Sequence, residues 1–464
     1  MDVKGRRVLV VGLGKSGIAS ALFLADRGAR VAVSDTKSPQ ELHHDIPLLL
    51  DRGIVVEAGY HGERTFKEQE LIVISPGVPA DVPQLLQARQ AGIPVIGEIE
   101  LAARYLKGSI VAITGSNGKT TTTALAGEII AASGRQTLVG GNIGTPAISF
   151  VENATVDTWI VLEVSSFQLE TIATFHPTIS VVLNVTPDHL DRHHTFANYA
   201  AAKARIFENQ TSDDFAVLNA DDATCAAMAE KAKAAVYWFS RRQFVEHGAF
   251  VRGDNIMWRD ADHEQIIMPV AEISLKGAHN VENVLAGVCA GMLAGVDPAD
   301  IRHAVSNFKA VEHRLEYVAT IRGVQYYNDS KATNVDATIK ALESFPRGIH
   351  LILGGKDKGS DYSSLNPLLE KRVTRVYTIG SAAAKIESQV RGAEVVSAGT
   401  IDNAVRRASE SAASGDIVLL APACASFDQF VSYEHRGRVF KDLVKQMEAR
   451  ELQHAGSNCA GDKH

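Results

Sequence analysis

Short apolar runs alternate with helical stretches along most of the chain. Residues 6–11, 71–74 and 109–113 are rich in Val, Ile and Leu, as expected of strands buried on both faces of a parallel sheet. Because helical patterns follow such runs, the sequence predicts doubly wound α/β sheets. Residues 236–275 differ, because polar and apolar positions alternate there around a turn at 253–255. That alternation predicts antiparallel strands.

Breaks in this pattern divide the chain into domains. A length of 464 residues is too great for one domain and suits two to four. Residues 92–97 form a glycine- and proline-containing seam, and a new strand–helix series begins near Asn307. The predicted fold class is therefore α/β with three domains. They are a Rossmann-like N-terminal domain at residues 1–97, a P-loop-type central domain at 98–306 and a Rossmann-like C-terminal domain at 307–464.

Composition excludes several classes of function. The 47 basic and 54 acidic residues give a net charge of −7, so nothing favours nucleic acid or an anionic membrane as a partner. No apolar run approaches the length of a membrane span, and the N-terminus leads straight into a strand without a signal peptide. We expect a cytoplasmic, monomeric protein without membrane insertion. The scattered cysteines suggest neither disulfides nor a zinc cluster: Cys225, Cys289, Cys424 and Cys459.

The stretch at 113–121, Ile-Thr-Gly-Ser-Asn-Gly-Lys-Thr-Thr, joins an apolar run to a helical pattern. This layout cradles a phosphate, because backbone N–H groups and the positive end of the helix dipole face the anion. Lys119 would reach the outer phosphates, and the Thr120 hydroxyl would ligate Mg²⁺. The general pattern has glycine where this chain has Ile113, so we predict a variant loop. Two glycines, a lysine and a run of threonines at this junction argue against a plain strand-to-helix turn. The residues of the loop are Gly115, Ser116, Asn117, Gly118, Lys119, Thr120 and Thr121.

Polar residues also follow the next predicted strands. Glu163 ends the run at 159–162, and His189 follows the run at 179–183. The carboxyl ends of parallel strands lie on one edge of a sheet, so both side chains are predicted to converge on the phosphate loop. A carboxylate and an imidazole at that place suggest Mg²⁺ ligation. A glutamate at a strand end is usually only solvated, and the predicted convergence is what favours a metal site.

A second glycine pattern, Gly-Leu-Gly-Lys-Ser-Gly at 12–17, lies between the first strand and a helix. With Asp35 after the second strand, it matches a dinucleotide-fold fingerprint. NAD is one interpretation, and a diphosphate-bearing ligand on the helix that starts near Ser16 is the broader one. The turn at 75–79 follows a further strand at the ligand-binding edge, although a plain connecting turn accounts for it equally well.

Four stretches resemble, in order and over nearly the whole chain, the motifs of the Mur ligase family. Members are ATP-dependent amide-forming enzymes of peptidoglycan precursor synthesis. The resemblance therefore implies a central ATPase domain, ATP, two Mg²⁺ ions, and a role in cell-wall biogenesis, cell shape, cell division and the cell cycle. The four stretches are Thr114–Thr120, Gly277–Asn283, His313–Glu316 and Asp329–Asn334. Stretches similar to the members that add D-glutamate are Gly12–Gly17, Glu163–Leu169 and Ala421–Phe430.

The resemblance also implies a reaction. ATP would phosphorylate the alanyl carboxylate of UDP-N-acetylmuramoyl-L-alanine, the amine of D-glutamate would attack the acyl phosphate, and phosphate would leave. Phosphoryl transfer needs positioning and charge neutralisation more than covalent help, which suits Lys119, Glu163 and His189. The D configuration of the glutamate rests on the resemblance alone.

Each implied ligand has its own set of residues by the same resemblance. Those for ATP, beyond the phosphate loop, are Asn280, Asn283, Arg314 and Asp329. Those for uridine diphosphate are Gly14, Lys15, Ser16, Asp35, Thr36 and Ser75. Those for the muramyl-alanine end are Asn142 and Ser165, and those for D-glutamate are Lys358, Ser426 and Phe427.

Lys203 lies in an alanine-rich stretch at 198–206, where composition alone favours an ordinary solvated lysine. The matching lysine in Mur ligases is typically carbamylated, so the resemblance implies a carbamate here. A neutral amine that adds CO₂ becomes an anion, which a site near Mg²⁺ favours over an ammonium ion. The implied metal ligands are Thr120, Glu163, His189 and carbamylated Lys203, and the implied catalytic residues are Lys119, Glu163, His189 and Lys203.

Three other functions remain as alternatives. An NAD-dependent dehydrogenase would use the N-terminal glycines and Asp35, but it leaves Lys119, Glu163 and His189 without a role. A non-catalytic nucleotide switch would bind ATP and a partner, and would be indifferent to amino acids. Folylpolyglutamate synthase resembles this family and also adds glutamate, but the UDP-type N-terminal domain argues against it.

Overall fold

The computed structural model describes residues 1–261, 263–275, 277–309 and 312–459, with side chains as far as Glu451. Within these residues the strands form three separate sheets, with helices between most consecutive strands. The predicted α/β fold with three sheet-based domains is thus confirmed. Of the predicted third domain, residues 310–311 and 460–464 lie outside the described part.

The N-terminal sheet is parallel throughout, in the order β3-β2-β1-β4-β5. Val8, Leu9, Val10 and Val11 are fully buried in its central strand, which explains their continuous hydrophobicity. The strands are β1 Arg7–Val11, β2 Arg30–Asp35, β3 Val55–Ala58, β4 Leu71–Ile74 and β5 Val95–Gly97. The helices are α1 Lys15–Asp26, α2 Ile46–Asp51, α3 Glu63–Lys67, α4 Pro83–Gln90 and α5 Glu98–Ala103.

The central sheet has the order β14-β13-β12-β11-β10-β9-β6-β8-β7. Its strands are β6 Ser109–Thr114, β7 Thr137–Gly141, β8 Trp159–Glu163, β9 Ile179–Val182, β10 Phe215–Asn219, β11 Ala235–Ser240, β12 Gly248–Arg252, β13 Asn255–Asp260 and β14 His263–Pro269. Its helices are α6 Lys119–Ala132, α7 Ser166–Leu169, α8 Leu190–His193, α9 Phe196–Ala204, α10 Ala223–Met228, α11 Ala278–Leu293 and α12 Pro298–Asn307.

The prediction of antiparallel strands over 236–275 holds for only part of that range. Strands β12, β13 and β14 are antiparallel to one another. Strand β11 is parallel to β10 and to β12, so the prediction is wrong there. Helix α10 carries the chain from β10 back to the start of β11, and such a crossover produces a parallel pair.

The C-terminal sheet has the order β15-β16-β20-β17-β18-β19. Strands β15 and β16 form an antiparallel hairpin, and the other neighbours are parallel. The strands are β15 Glu316–Ile321, β16 Val324–Asn328, β17 Ile349–Gly354, β18 Val373–Ile379, β19 Glu394–Gly399 and β20 Ile417–Leu420. The helices are α13 Val335–Glu343, α14 Asn366–Arg372, α15 Ala383–Gln389, α16 Ile401–Ser411 and α17 Tyr433–Cys459.

The chain folds as two compact units. The first comprises Met1–Pro187, Arg192–Ile273 and Val281–Phe308, and the second comprises Asp188–Asp191, Ser274–Asn280 and the residues from Lys309 onward. One hydrophobic core extends from Val10 of the N-terminal sheet to Leu162 of the central sheet. The N-terminal and central sheets therefore belong to one unit, and the domain boundaries at 97 and 306 stay predictions. Among the described residues, no helix combines the length and the hydrophobicity that crossing a membrane requires.

Candidate active site

The glycine loop at 115–118 connects β6 to the N-terminus of α6. Gly118 precedes the helix with φ of +86°, a backbone conformation that costs side-chain-bearing residues free energy. A Cβ atom at this position would also lie 2.2 Å from Oδ1 of Asn283. Asn184 fixes the loop from the next strand, since its Oδ1 accepts the Asn117 N–H at 2.8 Å and its backbone oxygen accepts the Ser116 N–H at 2.9 Å. The predicted glycine loop between a strand and a helix N-terminus is therefore present, and its use as a phosphate cradle stays a prediction.

Two lysine side chains meet on this loop. The Lys119 ammonium group donates to the carbonyl oxygens of Gly115 and Ser116, at 2.7 and 2.9 Å. The Lys203 ammonium group donates to the same Gly115 oxygen at 2.8 Å and lies 4.5 Å from the centroid of the Tyr199 ring. Only 1% of Lys203 is exposed, so the solvated lysine favoured by composition is wrong. Both lysine side chains therefore bind the glycine loop through one shared carbonyl oxygen.

Glu163 lies beside the loop, at the end of β8. Its Oε2 accepts the Thr120 hydroxyl at 2.7 Å, and its Oε1 accepts Nδ2 of Asn142 at 2.9 Å. The carboxylate is buried, so it is not the solvated strand-end glutamate that was the alternative. A carboxylate and a hydroxyl are oxygen donors of the kind that Mg²⁺ prefers. Thr120 and Glu163 therefore fit a magnesium site.

Ser165 follows Glu163 and caps a short helix. Its hydroxyl accepts the Gln168 N–H, and the Gln168 side chain accepts the Ser165 N–H, which completes a capping box on α7. Asn142 is the other predicted muramyl-alanine contact, and its backbone N–H donates to the Glu163 carbonyl at 2.8 Å. Asn142, Glu163 and Ser165 thus occupy one rim of the central sheet.

His189 belongs to the second compact unit, so its predicted convergence with Glu163 stays a prediction. Its Nε2 lies 3.7 Å from Oδ2 of Asp188. The same carboxylate accepts Nδ2 of Asn334 at 2.9 Å and lies 3.6 Å from Nζ of Lys358. Asp188 is thus the common partner of a predicted metal ligand and a predicted glutamate-binding lysine. Sequence reasoning did not single it out, although it stands beside His189.

Arg314 and Asp329 interact within the second unit. Burial raises the pKa of Asp329 to about 6, and the positive charge of Arg314 opposes that rise. Nearby, burial and the charges of Arg314 and Lys340 lower the pKa of His279 to about 4. The structure thus brings together two predicted ATP-binding residues of the C-terminal domain.

The two asparagines predicted to bind ATP both lie in α11. Asn280 belongs to the second unit and Asn283 to the first, and both are buried. Oδ1 of Asn283 accepts the Thr122 hydroxyl at 3.3 Å. Asn283 therefore contacts the first turn of the helix that starts at Lys119.

The predicted glutamate-binding residues follow strands that end at the same edge of the C-terminal sheet. Lys358 follows β17 and Ser426 follows β20, and these strands are parallel neighbours. Backbone hydrogen bonds between Lys356 and Ala425, at 2.8 and 3.1 Å, hold the two loops together. Ser426 is buried, whereas 68% of Phe427 is exposed, which leaves its ring available to a ligand.

The N-terminal domain contains a cavity of about 470 Å³ at the carboxyl edge of its sheet. The Asp35 carboxylate accepts the N–H groups of Leu13 and Lys37 at 2.5 and 2.8 Å. Ser75 donates to the Gly12 carbonyl at 2.7 Å. The cavity collects every residue predicted for uridine diphosphate: Gly14, Lys15, Ser16, Asp35, Thr36 and Ser75. Its lining also includes Lys37 and His61, which sequence reasoning missed; only Lys37, beside Asp35 and Thr36, carried a signal.

Three α/β sheets, a glycine loop at a helix N-terminus and a buried carboxylate beside it are the features typical of nucleotide-binding α/β proteins of the phosphate-loop type. Family models match each part of the chain. They are "Mur ligase MurD-like, N-terminal domain" at residues 6–97, "Mur ligase middle domain" at 113–291 and "Mur ligase, glutamate ligase domain" at 313–424. The chain belongs to the Mur ligase family.

Relatives that align over nearly their full length share one name. The UDP-N-acetylmuramoylalanine–D-glutamate ligase of Koribacter versatilis is 68% identical over 97% of this chain and 100% of its own length. The ligase of the same name from Acidobacterium capsulatum is 60% identical over 96% and 97%. Among solved structures, a UDP-N-acetylmuramate–alanine ligase of Thermotoga maritima superposes with a TM-score of 0.59, at 18% identity over 95% of this chain and 99% of that one, which shows the shared fold.

Proposed function

We propose that this chain is an ATP-dependent ligase that joins D-glutamate to UDP-N-acetylmuramoyl-L-alanine in peptidoglycan precursor synthesis. The observation that carries the proposal is the phosphate loop itself. Lys119 and Lys203 donate to one carbonyl of that loop, and the Glu163–Thr120 pair lies beside it. Relatives at 68% and 60% identity carry this activity in their names.

In the proposed mechanism, the N–H groups at the N-terminus of α6 and Lys119 hold the outer phosphates of ATP and neutralise charge that develops during transfer. The alanyl carboxylate takes the γ-phosphoryl group and becomes an acyl phosphate. The amine of D-glutamate attacks its carbonyl carbon, phosphate leaves with the carboxylate oxygen, and the amine loses its proton. Asn142 and Ser165 orient the alanyl end of the substrate for these reaction steps.

Thr120 and Glu163 would hold Mg²⁺, with His189 and carbamylated Lys203 completing two ion sites. When bound, Mg²⁺ would supply positive charge that stabilises the phosphate oxygens. The ammonium form of Lys203 has the wrong charge for a metal ligand, whereas its carbamate has the right one. This chemistry supports carbamylation as part of the proposal.

The other substrates have separate places. Uridine diphosphate occupies the N-terminal cavity, and D-glutamate binds Lys358, Ser426 and Phe427. Arg314 and Asp329 close over ATP with Asn280 and Asn283. We further propose that the protein acts in the cytoplasm as a monomer, which light scattering would report as a mass near 49.8 kDa.

Phosphate release tests the proposal. The wild-type chain is given ATP, Mg²⁺ and UDP-N-acetylmuramoyl-L-alanine, then D-glutamate, L-glutamate, L-alanine or no amino acid. We expect rapid release only with D-glutamate. Slow release that is indifferent to amino acids would support a nucleotide switch instead. Tighter binding of NAD than of the sugar nucleotide would support a dehydrogenase.

A further inference from the structure

Arg192 joins two parts of the first compact unit that lie far apart in sequence. Its guanidinium group donates to the carbonyl oxygens of Pro76 and Val78, both at 3.0 Å. The same group stacks on Phe167, with Cζ 3.9 Å from the ring centroid, and pairs with Glu170 at 3.4 Å. A planar guanidinium suits this combination of two carbonyls, an aromatic face and a carboxylate.

Both parts belong to the proposed sugar-nucleotide site. Pro76 and Val78 line the N-terminal cavity of about 470 Å³. Phe167 lies in α7, the helix that Ser165 caps. Arg192 lines a second cavity, of about 540 Å³. Its guanidinium therefore supports the uridine diphosphate loop while it rests on the helix of the muramyl-alanine contact.

His193 makes that helix a firm support. Its Nε2 lies 3.0 Å from Oγ of Ser166, and its Nδ1 lies 3.2 Å from Oε1 of Glu170. Its ring also stacks on Phe167, with the centroids 5.3 Å apart. Buried polar networks of this kind restrict the side chains that they connect. Phe167 and Glu170 thus present a fixed surface to Arg192.

We infer that Arg192 is a positioning residue for the sugar nucleotide, setting the separation between the loop at 76–78 and the Ser165 cap. The inference rests on the proposed function. One molecule has to reach from the uridine diphosphate cavity to Ser165, so both of its ends bind fully only when that separation is correct. Sites of this kind tolerate displacements of about 0.5 Å.

The test compares Arg192→Ala with Arg89→Ala. Arg89 lines the same second cavity but is exposed and donates to the carbonyl of Ala80, so it is the matched control. Calorimetry measures the affinity for UDP alone and for UDP-N-acetylmuramoyl-L-alanine. For Arg192→Ala we expect UDP affinity within about threefold of wild type and a loss of about tenfold or more for the whole substrate.

Steady-state kinetics supply the second readout. In Arg192→Ala the KM for the sugar nucleotide should rise about tenfold, while kcat and the KM for ATP stay within about threefold. Arg89→Ala should match wild type in every parameter. Equal losses for UDP and the whole substrate, a lower kcat at unchanged KM, or wild-type behaviour would overturn the inference.

Arg192→Lys covers the case in which the alanine variant does not fold. It keeps a charge for Glu170 but cannot donate to both carbonyls in one plane, so an elevated KM for the sugar nucleotide is expected again. A wild-type KM in this folded variant would overturn the inference. If the wild type itself binds no sugar nucleotide, the proposed function fails. If the wild type turns over normally and the Arg192 variants behave like it, only the inference about Arg192 fails.

Discussion

Lys119 and Lys203 donate to one acceptor, the carbonyl oxygen of Gly115, at 2.7 and 2.8 Å. One backbone carbonyl thus connects the lysine predicted to bind the outer phosphates of ATP with the lysine for which carbamylation is proposed. In the proposed mechanism the loop receives the phosphates of ATP, and Lys203 becomes a carbamate.

Replacing Lys119 should remove catalysis and leave the fold intact. Lys119→Ala is expected to lower kcat about 100- to 1,000-fold, the usual effect of losing a group that stabilises transition-state charge. The melting temperature, which should change little, separates this loss from a folding defect; the bonds from the ammonium group to Gly115 and Ser116 are local in sequence. Lys107→Ala, at an exposed position before β6, is the control. Near-normal turnover of Lys119→Ala would contradict the assignment.

A comparison of Gly118→Ala with Gly134→Ala separates the effect of a steric clash from the effect of backbone strain. The new Cβ would face Asn283 Oδ1 at 2.2 Å, whereas Gly134 has a similar φ of +78° and open space for 4 Å around the position that a Cβ atom would take. Gly134→Ala should cost about 1 kcal/mol of stability from strain alone and leave the KM for ATP unchanged. Gly118→Ala should also raise the KM for ATP, measured by steady-state kinetics. Equal kinetic behaviour of the two variants would show that the close approach to Asn283 does not matter.

Lys203→Ala should lose most activity and keep its affinity for the sugar nucleotide. The reason is that a carbamate would hold metal beside the γ-phosphate and would not contact uridine. With ¹³C-labelled bicarbonate, wild type should give a carbamate carbon signal in the NMR spectrum, and Lys203→Ala should not. The proposal of carbamylation fails if active, Mg²⁺-loaded enzyme lacks that signal and also keeps full activity after bicarbonate is removed.

Glu98 gives a pH-dependent prediction about stability. It is 1% exposed, its Oε1 accepts the Ile148 N–H at 2.8 Å, and its Oε2 has no hydrogen-bond partner within the described residues. Burial raises its pKa from 4.5 to about 7. As the pH rises, Glu98 therefore ionises in the unfolded chain before it ionises in the folded one. Glu98 lowers the stability of the wild type progressively between pH 4.5 and about pH 7, and by a constant amount above that.

Glu98→Gln removes that cost. Its stability relative to wild type should improve from pH 5 to pH 8 by up to about 3 kcal/mol. Scanning calorimetry at the two pH values gives the comparison as a difference in melting temperature. A difference that is the same at both, or that becomes less favourable to the variant at pH 8, would show that Glu98 does not titrate in this range.

Most of the features that could be predicted follow from local patterns in the sequence. The loop at 115–118 was predictable because its glycines, Lys119 and the flanking strand and helix are contiguous. The residues around the N-terminal cavity were predictable because parallel strands deliver their ends to one edge. By contrast, the burial of Lys203 depends on packing against distant loop atoms, and an alanine-rich helix gives no sign of it.

Arg192 shows a second limit of sequence reasoning. Its partners at 76 and 78 are backbone carbonyls. Because every residue has such a carbonyl, no pattern of side chains predicts the contact. Strand β11 shows a third limit. Its alternating pattern fits a parallel or an antiparallel strand equally well, and its direction follows from the crossover through α10. Contacts that depend on the path of the backbone therefore became visible only in the fold.

The most direct test of the proposed ligation follows an oxygen atom. UDP-N-acetylmuramoyl-L-alanine labelled with ¹⁸O in its alanyl carboxylate is incubated with ATP, Mg²⁺ and D-glutamate, and the released phosphate is analysed by mass spectrometry. An acyl phosphate predicts one ¹⁸O transferred to each phosphate, in step with formation of the amide product. Phosphate that carries oxygen from water instead, at a rate independent of D-glutamate, would contradict the account.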